Sequence, residues 1–166
     1  MNRFVDTLNR IRQRVRVDWL TPSQRTAYER LREQLEFLDE VNLWGAHGTG
    51  KTFIGWVLHR QGIATYAARL EAFEPALAER VVVVDNSDWR RRAVRDALHR
   101  CREYGYGKVV LISTEPVQEQ MASVELRLTA DDLQAVAENL RTVGVAPYSD
   151  APKNLWDMVS PLPLSH

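Results

Sequence analysis

Gly45-Ala46-His47-Gly48-Thr49-Gly50-Lys51-Thr52 is the stretch whose reading decides the fold of this chain. It satisfies the pattern G-x-x-x-x-G-K-[ST] at every fixed position. Glycines let backbone N–H groups turn inward around phosphate oxygens, and a helix that begins at the lysine directs its partial positive end at them. In this pattern Lys51 reaches the β- and γ-phosphates of a nucleotide, the Thr52 hydroxyl holds Mg²⁺, and Gly45 to Gly50 form the cradle. A pattern with so few fixed positions also arises by chance, so its flanks carry the decision. Val41-Asn42-Leu43-Trp44 before it is a short apolar strand, and Phe53-Ile54-Gly55-Trp56-Val57-Leu58 after it is a mostly apolar helix. Strand, loop and helix in that order are the context the pattern requires.

Outward from the loop, strands and helices alternate. Upstream, Thr21-Pro22-Ser23-Gln24 is a helix start, with Thr21 as N-cap, proline in the first turn and Gln24 placed to reach back. The helix it opens carries Tyr28, Leu31, Leu35 and Leu38 on one side. Nearer the N-terminus Phe4, Val5, Leu8, Ile11 and Val15 recur at helical spacing, while Arg3, Arg10, Arg12, Arg14 and Arg16 occupy the other faces. That basic amphipathic helix has three readings: packing on its own domain, docking to nucleic acid or an acidic partner, or an organelle-targeting segment.

Downstream, Gly62 is a helix stop and Ala64-Thr65-Tyr66-Ala67 a weak strand. A short helix around Pro75 fills the gap to Arg80. Val81-Val82-Val83-Val84-Asp85 is a β-branched run of the kind buried on both faces of a parallel sheet. Trp89, Ala93, Val94, Ala97, Leu98 and Cys101 mark one face of an amphipathic helix that stops at Gly105 and Gly107. A second buried strand runs from Lys108 to Thr114. Val124-Glu125-Leu126-Arg127-Leu128 alternates instead, as at a sheet edge. Thr129 caps a last helix bearing Leu133, Val136 and Leu140, and beyond Val143 the prolines at 147, 152, 161 and 163 predict an irregular tail. Alternating elements of this kind predict a three-layer parallel α/β sheet whose ligand sits at the carboxyl ends of the strands.

Composition narrows the class. With 166 residues the chain is one domain in size, and zero formal net charge argues against a general polyanion binder while allowing a local basic patch. Nineteen of its 22 basic residues are arginine, and one of its three lysines occupies the loop position. Cys101 is single and falls on an apolar stripe, so neither a disulfide framework nor a zinc site is expected. No apolar run has the length of a membrane span, which predicts a cytoplasmic protein with no membrane partner.

Taken together, the elements resemble the additional-strand division of P-loop NTPases, and within it a minimal AAA+ or STAND-type ATPase core, over roughly residues 41–140. The resemblance implies an α/β/α fold with a mostly parallel five-stranded sheet in the order 5-1-4-3-2. It implies a division into N-terminal helices (1–40), a core (41–143) and a tail with a truncated lid (144–166). It makes Asp85 the Walker B acid that orders Mg²⁺ together with Thr52, and Ser113 or Thr114 the sensor of the γ-phosphate.

Three departures bear on chemistry. The position after Asp85 holds Asn86 where the family has a glutamate to polarise water, and an amide cannot accept that proton. Glu115 beside the Ser113-Thr114 pair is the nearby substitute. The segment Glu115 to Ser123 contains no arginine finger, although Arg90, Arg91, Arg92, Arg100 and Arg102 lie on the helix after Asp85. Too few residues follow the last strand for a full helical lid, which leaves Arg141 as the candidate sensor arginine. The expected function is therefore an ATP- and Mg²⁺-dependent ATPase with slow hydrolysis, acting as a switch or motor module on a protein or oligomer partner, or on nucleic acid through the Arg-rich helix. The alternatives are a small-molecule or nucleotide kinase and a non-hydrolysing structural subunit. A GTPase is disfavoured, because no N-K-x-D segment is present.

Overall fold

The computed structural model describes residues 3–69, 72, 80–85, 91–117 and 120–161. Five parallel strands form one sheet: β1 (Glu40–Trp44), β2 (Thr65–Ala67), β3 (Val81–Val84), β4 (Lys108–Ser113) and β5 (Ala122–Glu125). Their spatial order is β2-β3-β4-β1-β5, which is the expected 5-1-4-3-2 arrangement. β1 and β4 pair from Glu40 with Val109 to Trp44 with Ser113, which brings the start of the phosphate loop level with the tip of β4. The helices are α1 (Arg3–Gln13), α2 (Pro22–Phe37), α3 (Lys51–Arg60), α4 (Arg91–Glu103), α5 (Ala130–Thr142) and α6 (Leu155–Val159), with a 3₁₀ turn at Val17–Trp19.

Two apolar cores, one on each side of the sheet, follow from the two-residue period of the strands. Val41, Leu43, Val83, Val110 and Ile112 pack with α2 and α3 through Leu31, Leu35, Ile54, Val57 and Leu58. Val82, Val84, Val109 and Leu111 pack with Val94 and Cys101 of α4. The valine run of β3 supplies both sides, which is why it reads as continuous rather than alternating. A third cluster joins Leu140 of α5, Val145 and Leu155 and Met158 of α6, with Ile11 of α1 packed against it. It holds the two ends of the chain together.

The helix starts obey their sequence signals. Thr21 Oγ1 accepts from the Gln24 amide, and Gln24 Oε1 accepts from the Thr21 amide at 3.1 Å, a closed capping box. Asp132, fully buried in the first turn of α5, accepts from the Thr129 amide at 2.7 Å and from the Ser23 amide at 2.8 Å. One carboxylate thus serves the N-termini of two helices. Burial works against its charge, and the hydrogen bonds from Thr21, Ser23 and Thr129 together hold its pKa below the ordinary value.

Several expectations are displaced. The alternating stretch 124–128 enters the sheet only through Val124 and Glu125, because β1 ends at Trp44 and offers β5 partners only from Val41 to Trp44. The tail is not irregular throughout. Asn154 accepts from the Asp157 amide at 3.0 Å and starts α6, which returns the chain to the phosphate loop. The helix proposed around Pro75, together with Trp89 and Arg90, lies outside the described residues.

Candidate functional site

Every fixed residue of the loop sits at the carboxyl edge of the sheet, between β1 and α3. Gly48 and Gly50 adopt φ of +74° and +87°, left-handed values that a side chain resists. A Cβ at Gly50 would lie 2.1 Å from Gln24 Nε2 and 3.1 Å from Leu155 Cδ1, so the loop is walled by α2 on one side and α6 on the other. Polar contacts add to that wall. Gln24 Nε2 donates to the Thr49 carbonyl at 3.3 Å, and the Leu155 amide donates to the Gly48 carbonyl at 2.9 Å. Residues separated by most of the chain therefore set the shape of one turn.

Lys51 is buried and curls under the loop, where its ammonium donates to the carbonyls of Gly45 at 2.7 Å and Ala46 at 2.8 Å. Burial pushes its pKa down to about 8, against the opposing pull of the Asp85 carboxylate. Beside it, the Thr52 hydroxyl donates to Asp85 Oδ2 at 2.6 Å. The loop threonine and the β3 acid are thus in direct contact, and they form a pair of hard oxygen donors of the kind Mg²⁺ uses alongside phosphate oxygens and water.

Asp85 Oδ2 also accepts from the Tyr66 hydroxyl at 2.8 Å. Burial, and next the Asp85 charge, raise the tyrosine pKa well above its ordinary value, so it stays a donor. The sequence marked Tyr66 only as part of a weak strand. Its role depends on β2 and β3 pairing Tyr66 with Val83, two residues before the acid.

At the tip of β4, the Ser113 hydroxyl is engaged on both sides. It accepts from Asn42 Nδ2 at 2.9 Å and donates to the Glu115 carbonyl at 2.6 Å. Asn42, buried in the middle of β1, also donates to the Leu111 carbonyl and accepts from the Val117 amide at 3.1 Å. This network pins the segment 113–117 and was not anticipated. Thr114 and the Glu115 side chain are exposed on the same wall. Asn86 lies outside the described residues.

These groups border one cleft of about 910 Å³. Its phosphate end holds Gly48, Gly50, Lys51, Thr52 and Asp85, with Ser113, Thr114 and Glu115 opposite. Its other end is apolar, lined by Ile11 of α1, Trp19, Leu140 of α5, and Leu155 and Trp156 of α6. Helix α1 is therefore part of the cleft. Phe4 meets Trp156 edge-on at 5.8 Å, Arg3 Nη2 donates to the Ala146 carbonyl at 3.0 Å, and Arg10 Nη1 donates to the Val143 carbonyl at 2.7 Å. Two of the three arginines of α1 are thus spent on the chain itself, while Arg12 stays exposed; beyond the helix Arg14 is exposed and Arg16 pairs with Asp18.

Cys101 is buried on α4, where burial raises its thiol to about 12 and leaves it inert. Among the described residues no group of three or more His, Cys, Asp or Glu is placed to hold a metal, and no helix is long and apolar enough to cross a membrane.

No protein-family model and no curated protein sequence matches the chain. Solved structures do. It is similar to the replication initiator DnaA bound to AMPPCP and single-stranded DNA, with a TM-score of 0.51 and 17% identity over 73% of this chain and 52% of that one. It is similar to AMPPCP-bound DnaA from Aquifex aeolicus, with a TM-score of 0.51 and 17% identity over 81% and 55%. It also matches a DNA replication initiation factor at 0.50 and 15% identity over 73% and 51%. The chain spans about half the length of these structures, and at such identities the likeness is one of fold. Sheet order, phosphate loop and structural likeness agree that the fold is that of the P-loop NTPases.

Proposed function

We propose that this chain is an ATP-binding ATPase of the additional-strand division, built on an AAA+-like core, whose nucleotide state switches its grip on a protein or nucleic-acid partner. The observation that carries this reading is the direct contact of Thr52 with Asp85 beside the buried Lys51 ammonium. Thr52 and Asp85 would hold Mg²⁺, which would supply positive charge to offset that of the phosphates. Lys51 would exchange its bonds to the Gly45 and Ala46 carbonyls for phosphate oxygens. The base would lie in the apolar end of the cleft against Trp19, Leu140 and Trp156. The DnaA structures that resemble this chain hold AMPPCP, which supports an adenine nucleotide as the ligand.

Slow hydrolysis follows from Asn86, which cannot act as a base, and Glu115 is the proposed substitute. Thr114 is the better sensor candidate of its pair, since the Ser113 hydroxyl is already held on both sides.

The test is calorimetric titration of ATP with and without Mg²⁺ on the wild type and Asp85→Asn. The wild type is expected to bind more tightly with Mg²⁺, and the variant to lose that difference while still binding ATP. Equal Mg²⁺ dependence in both proteins would remove Asp85 from the metal site.

A further inference from the structure

A second groove of about 460 Å³ opens beside the cleft, lined by Arg12, Val15, Trp56, His59, Arg60 and Tyr66. Its chemistry is specific: two guanidinium groups, an imidazole, two aromatic rings and no carboxylate in the lining. Arg12, His59 and Arg60 are exposed, and Trp56 and Tyr66 are half-buried. The Arg12 guanidinium carbon stands 5.6 Å from the Trp56 ring centre, and Trp56 meets Tyr66 edge-on at 6.3 Å. Among the described residues neither Arg12 nor Arg60 forms an ion pair. Unpaired cations around aromatic rings match a ligand that carries both flat faces and negative charge.

We propose that this groove binds single-stranded nucleic acid, with a base on Trp56 and the backbone phosphates on Arg12 and Arg60. A duplex would not fit the chemistry, because its bases are already stacked on one another and present no free face to a ring. An acidic peptide would satisfy the arginines and leave the aromatic surface unused. The groove shares Arg12 and Trp56 with the nucleotide cleft, and it reaches the Mg²⁺ acid through Tyr66. Tyr66 lines the groove with its ring and holds Asp85 with its hydroxyl, and Asp85 is the acid that Thr52 contacts. A strand that moves the ring moves the hydroxyl, so strand and Mg²⁺-ATP bias each other reciprocally. This coupling rests on the nucleotide-switch reading. The binding of a strand does not.

Fluorescence anisotropy of a short labelled oligothymidylate, titrated with the full chain, tests both parts. Affinity is expected to fall steeply with salt. Arg60→Glu should weaken it by at least about tenfold and lower the salt slope by about one, while melting temperature and ATP binding hold, since Arg60 does not line the nucleotide cleft. His59→Ala should weaken it less. Tyr66→Phe should keep strand affinity and abolish the effect of Mg²⁺-ATP on it. Four results overturn the proposal: an unchanged affinity in Arg60→Glu, equal binding of a duplex, equal competition by polyglutamate, and retained coupling in Tyr66→Phe. A chain that binds the strand through Arg60 but binds no ATP leaves the groove standing and defeats the nucleotide reading. A chain that binds ATP and no strand does the reverse.

Discussion

Replacing Lys51 by methionine separates phosphate binding from folding, and the structure sets the size of the effect. The ammonium donates at 2.7 and 2.8 Å to two loop carbonyls, and a triphosphate would take over those donors. Truncating one partner of a buried hydrogen-bonded charge pair costs about 2–5 kcal/mol, and the carbonyl bonds that the ammonium gives up on binding offset part of this, which leaves a net of about 2–4 kcal/mol. Lys51→Met should therefore weaken ATP binding by roughly 30- to 1000-fold. Burial also predicts a pH signature. With the free amine at about 8 and phosphate favouring its charged form, ATP affinity of the wild type should fall about tenfold per pH unit from about 8 towards the ordinary lysine value of about 10.4.

The sign for folding is opposite. The unfolded chain binds that proton more tightly than the folded one, so the lysine's own contribution to stability without ATP should rise with pH across the same window, because its ν_U exceeds its ν_N there. Cys101, raised by burial to about 12, and Tyr66, also raised, work the other way: they lose their protons in this window only when unfolded, and so oppose the rise from about pH 9 upward. In Lys51→Met the pH dependence of ATP affinity should vanish, and the lysine's share of stability is the wild type minus the variant at each pH. Titration of a fluorescent ATP analogue and urea melts between about pH 7 and pH 10 measure them. Affinity within threefold of wild type, or a wild-type affinity flat over this range, would refute the assignment of Lys51 to the phosphates.

Asp132→Ala strands the Ser23 and Thr129 amides at two helix starts, and should cost about 2–4 kcal/mol in urea unfolding. Because its folded pKa is depressed, that contribution is present above about pH 4 and lost as pH falls through the folded value, so variant and wild type should converge in acid. Gly50→Ala forces a Cβ onto Gln24 at φ +87°, and should reduce ATP affinity by more than tenfold in the same titration. Deleting residues 1–16 removes Leu8 and Ile11 from the cleft and Val15 from the core, so both melting temperature and ATP affinity should drop. An arm that served only nucleic acid would leave both unchanged. Glu115→Gln should lower phosphate release without weakening ATP binding, and equal turnover would clear it of a role in positioning water.

The sheet was readable because its signals are local and repeat. Four valines in a row before Asp85, and the run from Lys108 to Ser113, specify buried parallel strands whatever surrounds them, and the capping box at Thr21 needs only four residues. The alternating stretch at 124–128 was displaced because pairing depends on the partner, and β1 stops at Trp44. The loop was readable for the same reason as the strands, since its glycines and lysine state a backbone geometry and a charge in one place. Tyr66, Asn42, Gln24 and Leu155 were not. Each looks ordinary in its own segment, and acquires a role only when another segment arrives beside it.

Their distribution explains how the cleft is enclosed. The loop backbone is anchored from α2 by Gln24 on the Thr49 carbonyl and from α6 by the Leu155 amide on the Gly48 carbonyl, while α1 and α6 meet at Phe4 and Trp156 over the apolar end. That arrangement makes closure of the cleft and integrity of the fold a single cooperative event, because the Leu140, Val145, Leu155 and Met158 cluster that docks α6 is the same cluster on which Ile11 of α1 rests. A nucleotide contacting Trp19, Leu140 and Trp156 would therefore stabilise both termini at once. Its release would loosen the α1 segment that carries Arg12 into the basic groove, which gives the fold a physical route from nucleotide state to partner affinity.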